Sequence, residues 1–382
     1  MMDGGTGPSC DLLMGWDEEL RTRSVAIAES MFHRPEPKAT FVDYVRGLLS
    51  DVPRKNSWQI AEYLGYENPG PLEWLLNGAS WEAGDLRDVV RDYVVQNLGT
   101  PQGILIADDT QVIKKGRSSV GVSRQHCGLT GQVENCQVLP MLTYASEHGH
   151  AFIDRRLYVP ESWIDDPGRR RKAGVPRTLE FRTKPGLVID MLTSAFAAQI
   201  PFSWFTADSD YGRDPQLRAF LHVSTTSYVM AVPVDLPLTD PRTGPSRPDQ
   251  MAKRYLSESH YERRSCGEGS KGERLYDWAA MTVTVKNQDP ASGFSHTLLV
   301  RRSTSSPKDV QFFLAHAAEC TPMPEMIAVA GERWRIEDCN KETKDALGLG
   351  EYQVRKWIPW HRHITICMLA HAFLAVQAAG KF

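Results

Sequence analysis

Up to residue 98 apolar positions repeat every three or four residues, first as Phe41, Tyr44, Val45, Leu48 and Leu49, then as Leu86, Val89, Val90, Tyr93 and Val94, the spacing of amphipathic helices. Between them, residues 57–65 read as a short helix with Ser57 as N-cap and Gly65 as stop, and residues 71–77 as another closed by Gly78. Two short helices around a Gly-containing turn resemble a helix-turn-helix, and Arg54 and Lys55 stand just before this one. The texture changes after Gly99. Residues 103–108 form an apolar run ending in acid, the pattern of a buried strand that delivers a carboxylate at its end. Strand-like runs follow at 119–124, 133–145 and 151–159, and helical periodicity returns over 186–199. Residues 202–208 then repeat the first motif, an apolar strand ending in Asp208. Residues 215–223 suit a helix and 227–233 a strand. The stretch 235–306 is rich in Pro, Gly and charge and closes on two strand-like runs, 281–286 and 296–301. It reads as an insertion with its own small β element, and helices are expected from Asp309 to the end. The chain thus divides into a helical N-terminal domain (1–98), a core of mixed strand and helix (99–234), a β-rich insertion (235–306) and a C-terminal return to the core (307–382).

Composition sharpens this only by exclusion. A chain of 382 residues with 41% hydrophobic and 24% charged residues is neither disordered nor fibrous, and its length can bury a core without disulfides. Its 44 Lys and Arg against 47 Asp and Glu leave a net charge of −3, so nucleic-acid binding would have to use local basic patches. Seven cysteines without a CxxC pair suit a reducing compartment and argue against a zinc ribbon. The N-terminus lacks a basic start followed by an apolar stretch. The apolar segment 364–380 is interrupted by His371 and Gln377 and reads as a buried helix. A soluble cytoplasmic protein is expected.

Three acids stand out. Asp108 and Asp208 each end a strand, and Glu337 lies in a late helical segment. Carboxylates from distant positions converging on one sheet edge are what a two-metal phosphoryl-transfer site needs, since hard Mg²⁺ prefers oxygen ligands and two ions can serve attacking and leaving oxygens. Around Glu337, residues Arg333, Lys341 and Lys344 share its helix face at helical spacing. Cations flanking a carboxylate along one stripe can hold phosphates beside a metal, although an ordinary salt-bridged solvent face has the same pattern.

These residues resemble the DDE-type insertion-sequence transposases, specifically the cut-and-paste branch whose last helix carries a Tyr-x2-Arg-x3-Glu-x6-Lys signature. Arg333, Glu337 and Lys344 match its Arg, Glu and Lys, whereas Ala330 stands at the Tyr position. Residues 108–116, 119–122 and 134–137 resemble the family's first-aspartate region, 206–212 its second-aspartate motif, and 357–364 its tail. The resemblance implies an α/β fold with an RNase H-like core, a mixed five-stranded sheet with flanking helices, preceded by the helical domain and interrupted by a β-rich insertion before the last catalytic helix. It implies that Asp108, Asp208 and Glu337 are catalytic and hold metal, Mg²⁺ with Mn²⁺ as a substitute. The family motif begins at the acid directly after the apolar strand, so Asp108 is chosen over Asp109, which is expected to face away. The activity implied is cleavage at transposon ends by metal-bound water, then strand transfer of the freed 3′-hydroxyl into target DNA. The partners implied are double-stranded DNA and a second copy of the chain, in the nucleoid of a bacterial cytoplasm. Two other readings use the same scaffold: a DNA-binding or regulatory protein with cleavage lost, supported by Ala330, and a stand-alone nuclease.

Further cations are candidates for DNA contact. Arg333 and Lys344 would clamp phosphates, with Lys341 beside them. Arg169, Arg170, Arg171 and Lys172, with Arg177, Arg182 and Lys184 against Glu180 alone, give a local charge of +6. Lys114, Lys115 and Arg117 follow the first aspartate, where a hairpin could touch the scissile strand. His361, His363 and His371 lie in the apolar C-terminal segment and are expected to pack or touch DNA rather than bind zinc.

Overall fold

The structure is a computed structural model and describes residues 10–269, 272–306 and 308–380; residues 1–9 of the segment read for a secretion signal lie outside it. Five helices come first: α1 (Cys10–Met31), α2 (Pro35–Leu49), α3 (Ser57–Tyr63), α4 (Gly70–Asn77) and α5 (Ala83–Leu98). The cap of α3 is Asn56 rather than Ser57: its side chain accepts from the amides of Trp58 and Gln59, both at 3.1 Å.

Strands β1 (Ile104–Ile113), β2 (Ser123–Cys127), β3 (Gln132–Ser146) and β4 (Gly149–Arg155) follow. Two short helices, α6 (Glu161–Ile164) and α7 (Pro167–Ala173), lead to α8 (Lys184–Ala197), β5 (Trp204–Ala207), α9 (Ser209–Gly212), α10 (Pro215–Val223) and β6 (Ser227–Val232). In space β3, β1, β5 and β6 are consecutive neighbours, with β4 beside β3. β1 and β3 run antiparallel, and β1, β5 and β6 parallel. These five strands with helices against them form the RNase H-like core expected from the sequence, and β2 also pairs with β3 in what is a ten-stranded sheet.

The run at 119–124 starts its strand later than expected, at Ser123. Gly121 takes a left-handed φ of 72° that breaks extended pairing, and Val120 is instead tied to Arg355 by a backbone hydrogen bond of 2.9 Å.

The segment after β6 departs further from expectation. A small sheet of β7 (Leu238–Asp240), β8 (Gly244–Ser246) and β11 (Thr284–Val285) stands alone, beside helix α11 (Pro248–Tyr255). The longer strands β9 (Glu262–Gly269), β10 (Gly272–Thr282) and β12 (Phe294–Ser303) instead extend the core sheet. The link is β13 (Val310–Ala318), which pairs antiparallel with both β6 and β12. Helices were expected from Asp309, but residues 310–318 are this strand. Their apolar run fits either element by pattern, and the open edge of β6 decides it. Helices return only as α12 (Met323–Glu332), α13 (Trp334–Asp345) and α14 (Trp357–Ala378).

Helix α14 is buried almost throughout. One apolar cluster runs from Phe41 and Leu48 of α2 through Leu86 and Val94 of α5 to Ile364 and Phe373 of α14, and on to Leu105 and Leu142 in the sheet. The buried Arg362 of α14 donates to the carbonyls of Leu76 (2.9 Å) and Ala79 (2.6 Å), satisfying groups that the end of α4 leaves unpaired. His363 meets the Tyr44 hydroxyl at 2.9 Å and His371 the Glu342 carboxylate at 2.9 Å. These contacts fasten the N-terminal helices and α13 onto the last helix.

Candidate active site

The two aspartates arrive by the same device. β1 and β5 are parallel neighbours whose last registered pair is Ala107 with Ala207, so the next residues are Asp108, midway along β1 rather than at its end as expected, and Asp208, just past the end of β5. Adjacent strands lie about 4.8 Å apart, which sets the two carboxylates side by side. Asp208 turns out of β5 as the N-cap of α9, accepting from the amides of Asp210 (2.9 Å) and Tyr211 (3.2 Å). Helix α9 lies so close to β6 that a Cβ on Gly212 would stand 2.0 Å from the Ala231 carbonyl oxygen. Only glycine allows that approach.

Asp108 and Asp109 leave β1 on opposite faces, as successive strand residues must. Asp108 faces the late helices: its Oδ2 is 3.5 Å from Arg333, at the junction of α12 and α13, and its Oδ1 accepts from the Asp109 amide at 2.7 Å. Burial and the neighbouring Asp208 carboxylate push its pKa up to about 7, with Arg333 opposing them. Burial raises Asp208 as well. Asp109 is held on the other face by Lys184 at the start of α8 (2.6 Å) and the buried Tyr211 hydroxyl of α9 (2.5 Å).

Glu337 stands apart. Its carboxylate takes a 2.6 Å ion pair from the other side of Arg333 and is 56% exposed, so a guanidinium separates the third acid from the first. Among the described residues no three His, Cys, Asp or Glu side chains gather closely enough to hold an ion together. Asp108 and Asp208 nevertheless fit a divalent cation: two oxygen donors of like charge, whose ionisation burial opposes, gain most from a hard metal between them. Lys344 is half-buried, and burial lowers its pKa against the smaller pull of nearby acids that include Asp108; Lys341 faces solvent. A cavity of 540 Å³ opens beside Asp208, walled by Arg274, Arg301, Arg333, Trp334 and Ala330.

The other candidate cations divide by what they already touch. Arg169 donates to the Arg117 and Val122 carbonyls and stacks on Trp163, and Arg170 donates to the Pro176 and Leu179 carbonyls. Arg171, Lys172, Lys115 and Arg117 face solvent. Lys114 lies over the Tyr352 ring at 3.5 Å and donates to the Tyr352 carbonyl, and burial lowers its pKa to about 8. Charge counting missed the roles of Lys184 and Tyr211. Lys184 stood in the basic run, and Tyr211 in the second-aspartate motif, but only the fold aims them at Asp109.

A family model described as DDE superfamily endonuclease matches residues 29–292, which contain both aspartates and stop short of Glu337. A curated relative from Microchaete diplosiphon, named "Probable transposase for insertion sequence element IS701", is 27% identical over 188 residues. That alignment covers 49% of this chain and 46% of the relative, so the two are comparable over about half their lengths. With more than half of the chain matched to the family model, and with Asp108 beside Asp208 and joined through Arg333 to a late-helix glutamate, this protein belongs to the DDE superfamily of endonucleases.

Proposed function

We propose that this chain is a DNA transposase that cleaves the ends of an insertion sequence and joins them to target DNA. The observation that carries the reading is the placing of Asp108, midway along β1, beside Asp208, just past the end of the parallel neighbour β5, with Arg333 linking Asp108 to Glu337. Asp108 and Asp208 would hold the cations, Mg²⁺ or Mn²⁺, and Glu337 would complete the set with Arg333 turned away to a phosphate. Bound there, two such ions would supply charge neutralisation at the attacking and leaving oxygens of an in-line displacement. Arg333 and Lys344 bind non-bridging oxygens of the scissile strand. In cleavage, water adds to phosphorus and the 3′-oxygen of the element's end leaves. In joining, that 3′-hydroxyl attacks a target phosphodiester and a target 3′-oxygen leaves, so the number of P–O ester bonds is conserved.

In this reading the residues 1–98 contribute to DNA binding, two copies of the chain bridge paired ends, and the protein works on the bacterial nucleoid. Among the described residues no helix is long and apolar enough to cross a membrane.

The test uses duplexes carrying the element's own ends, incubated with protein and Mg²⁺ or Mn²⁺ beside the Glu337→Gln variant. Metal-dependent nicking at the end, lost in the variant, followed by joining of the 3′-end to a target plasmid, is the expected result. Nicking without joining would make the protein a nuclease. Tight binding without nicking would make it a DNA-binding regulator, consistent with Ala330 at the signature's Tyr position.

A further inference from the structure

A second cavity is larger than the one beside Asp208. A cleft of 730 Å³ lies where α4, the turn after β1 and the segment before α14 meet. Its walls carry four cations, Lys114, Lys115, Arg355 and Lys356, against one acid, Glu73. Lys114 is bound into the fold by Tyr352. Lys115, Arg355 and Lys356 are exposed, and among the described residues none of them pairs with a carboxylate, whereas Arg87, Arg91, Arg156 and Arg333 do. The remaining polar wall is neutral: Ser57, Ser118 and Ser119 offer hydroxyls and Asn77 an amide. In a protein of net charge −3, three free cations around one polar cleft form a site for a polyanion.

The cleft's place on β1 indicates which polyanion. Lys114 is six residues beyond Asp108 on the same extended backbone, about 20 Å at about 3.3 Å per residue. At about 3.4 Å per base pair, that is roughly six base pairs of duplex. The cleft is also floored by the core and roofed by α4 of the N-terminal helices, so a bound strand would touch both.

We infer that this cleft holds the backbone of the same DNA duplex, about six base pairs from the scissile phosphate. The inference rests on the DNA-cleaving reading above, but binding can be measured without cleavage. Affinity for a 30-base-pair duplex is to be followed against salt in an Asp108→Asn background, with and without Lys115→Ala, Arg355→Ala and Lys356→Ala together. Three lost phosphate contacts should lower the log–log salt slope by about 2.7, at about 0.9 per contact. All three positions are exposed, so the variant should melt with its parent. A slope change below one contact overturns the proposal. So does a mononucleotide that binds the parent, loses binding in the triple variant and leaves the duplex slope untouched. In a second arm an iron chelate is attached to Ser118→Cys in otherwise active protein. Radical cuts centred about six base pairs from the nick are expected, and cuts at the nick itself, or none on bound duplex, would overturn the placement. If end cleavage fails while the salt slope responds, the catalytic reading falls and the cleft stands.

Discussion

The two halves of the candidate active site are built differently. Asp108 and Asp208 are fixed by sheet register, by the cap of α9 and by the close approach at Gly212. Glu337 rides on the first turn of α13, more than half exposed and, among the described residues, tied only to Arg333. A strand register cannot slip by one residue without turning every side chain over, whereas an exposed ion pair is worth about 1 kcal/mol or less. The first half is therefore assembled before substrate arrives, and the second is free to change partners when a phosphate competes for Arg333.

The sharpest test of the rigid half removes one of its charges. Asp108→Asn or Asp208→Asn should abolish nicking by more than the roughly 10–100-fold typical of outer-shell partners, with DNA binding retained in a gel-shift assay. The same Asp108→Asn change should stabilise the metal-free protein. The folded-state pKa of Asp108 is raised to about 7 from 3.8, so the protonated form is favoured by folding, and stability is lost as pH rises from about 4 through about 7. Measured in chelator, the melting temperatures of variant and parent should lie close together at pH 5, and the variant should melt above the parent at pH 8. Added Mg²⁺ should restore stability to the parent at pH 8.

A second prediction concerns the opposite face of β1. Lys184→Met leaves the Asp109 carboxylate, only 10% exposed, with Tyr211 alone, and breaking a largely buried pair costs about 3 kcal/mol. Tyr211→Phe removes one hydrogen bond and should cost about 1 kcal/mol. If Asp109 only positions its strand, both variants should nick with an unchanged dependence on Mg²⁺ concentration once folded. A large shift in that dependence would move the metal ligand from Asp108 to Asp109.

Acid should strike a third region, the sheet extension. His222, His296 and His316 pack together, with His296 and His222 ring nitrogens 3.3 Å apart and the rings of His222 and His316 at 4.2 Å. Burial and mutual repulsion depress His222 to about 4 and His296 to about 3, and burial lowers His316. The unfolded chain binds protons there first, so stability falls as pH drops from about 6.5 toward 4 and is unaffected above that window. His296→Gln should make this acid limb shallower, the rest of it coming from His222, His316 and from His150, His361 and His363, which burial also depresses, while leaving the neutral limb set by Asp108. Loss of both limbs together would mean that the two regions do not titrate independently.

Much of this was legible in the sequence because the rigid half obeys local rules. Apolar runs ending in acid, at 103–108 and 202–208, are strands whose sides are buried; the second stops before Asp208 as expected, whereas the first runs on to Ile113 because β3 continues to pair with it. The Arg333–Glu337–Lys344 stripe was legible for the same reason, since helix spacing alone puts those residues on one face. What escaped depends on distant neighbours. Residues 310–318 look as helical as stranded until the edge of β6 is present to pair with them. Arg169 and Arg170 count as surface charge until the carbonyls of Val122, Pro176 and Leu179 come within reach. Lys184 points at Asp109 only because α8 starts beside β1.

The smallest effect is expected at Ala330, where this chain departs from the signature it otherwise resembles. Ala330 is 8% exposed in α12 and packs with Met326, Ile327 and Val329, so a larger side chain there would ordinarily overpack and cost about 1–3 kcal/mol. Here it also borders the 540 Å³ cavity beside Asp208 and Arg333, which has room for a phenol ring. Ala330→Tyr should therefore melt close to the parent. A hydroxyl facing bound DNA from that wall adds one hydrogen bond, about 0.5–1.5 kcal/mol, so nicking should gain roughly two- to tenfold. A gain confined to rate, with DNA affinity unchanged, would place the hydroxyl on the reacting phosphate. A gain in affinity alone would place it on a neighbouring one. A marked fall in melting temperature would show that the wall of α12 is as fixed as the aspartates opposite it, and the mobile part of the site would then shrink to Arg333 and Glu337.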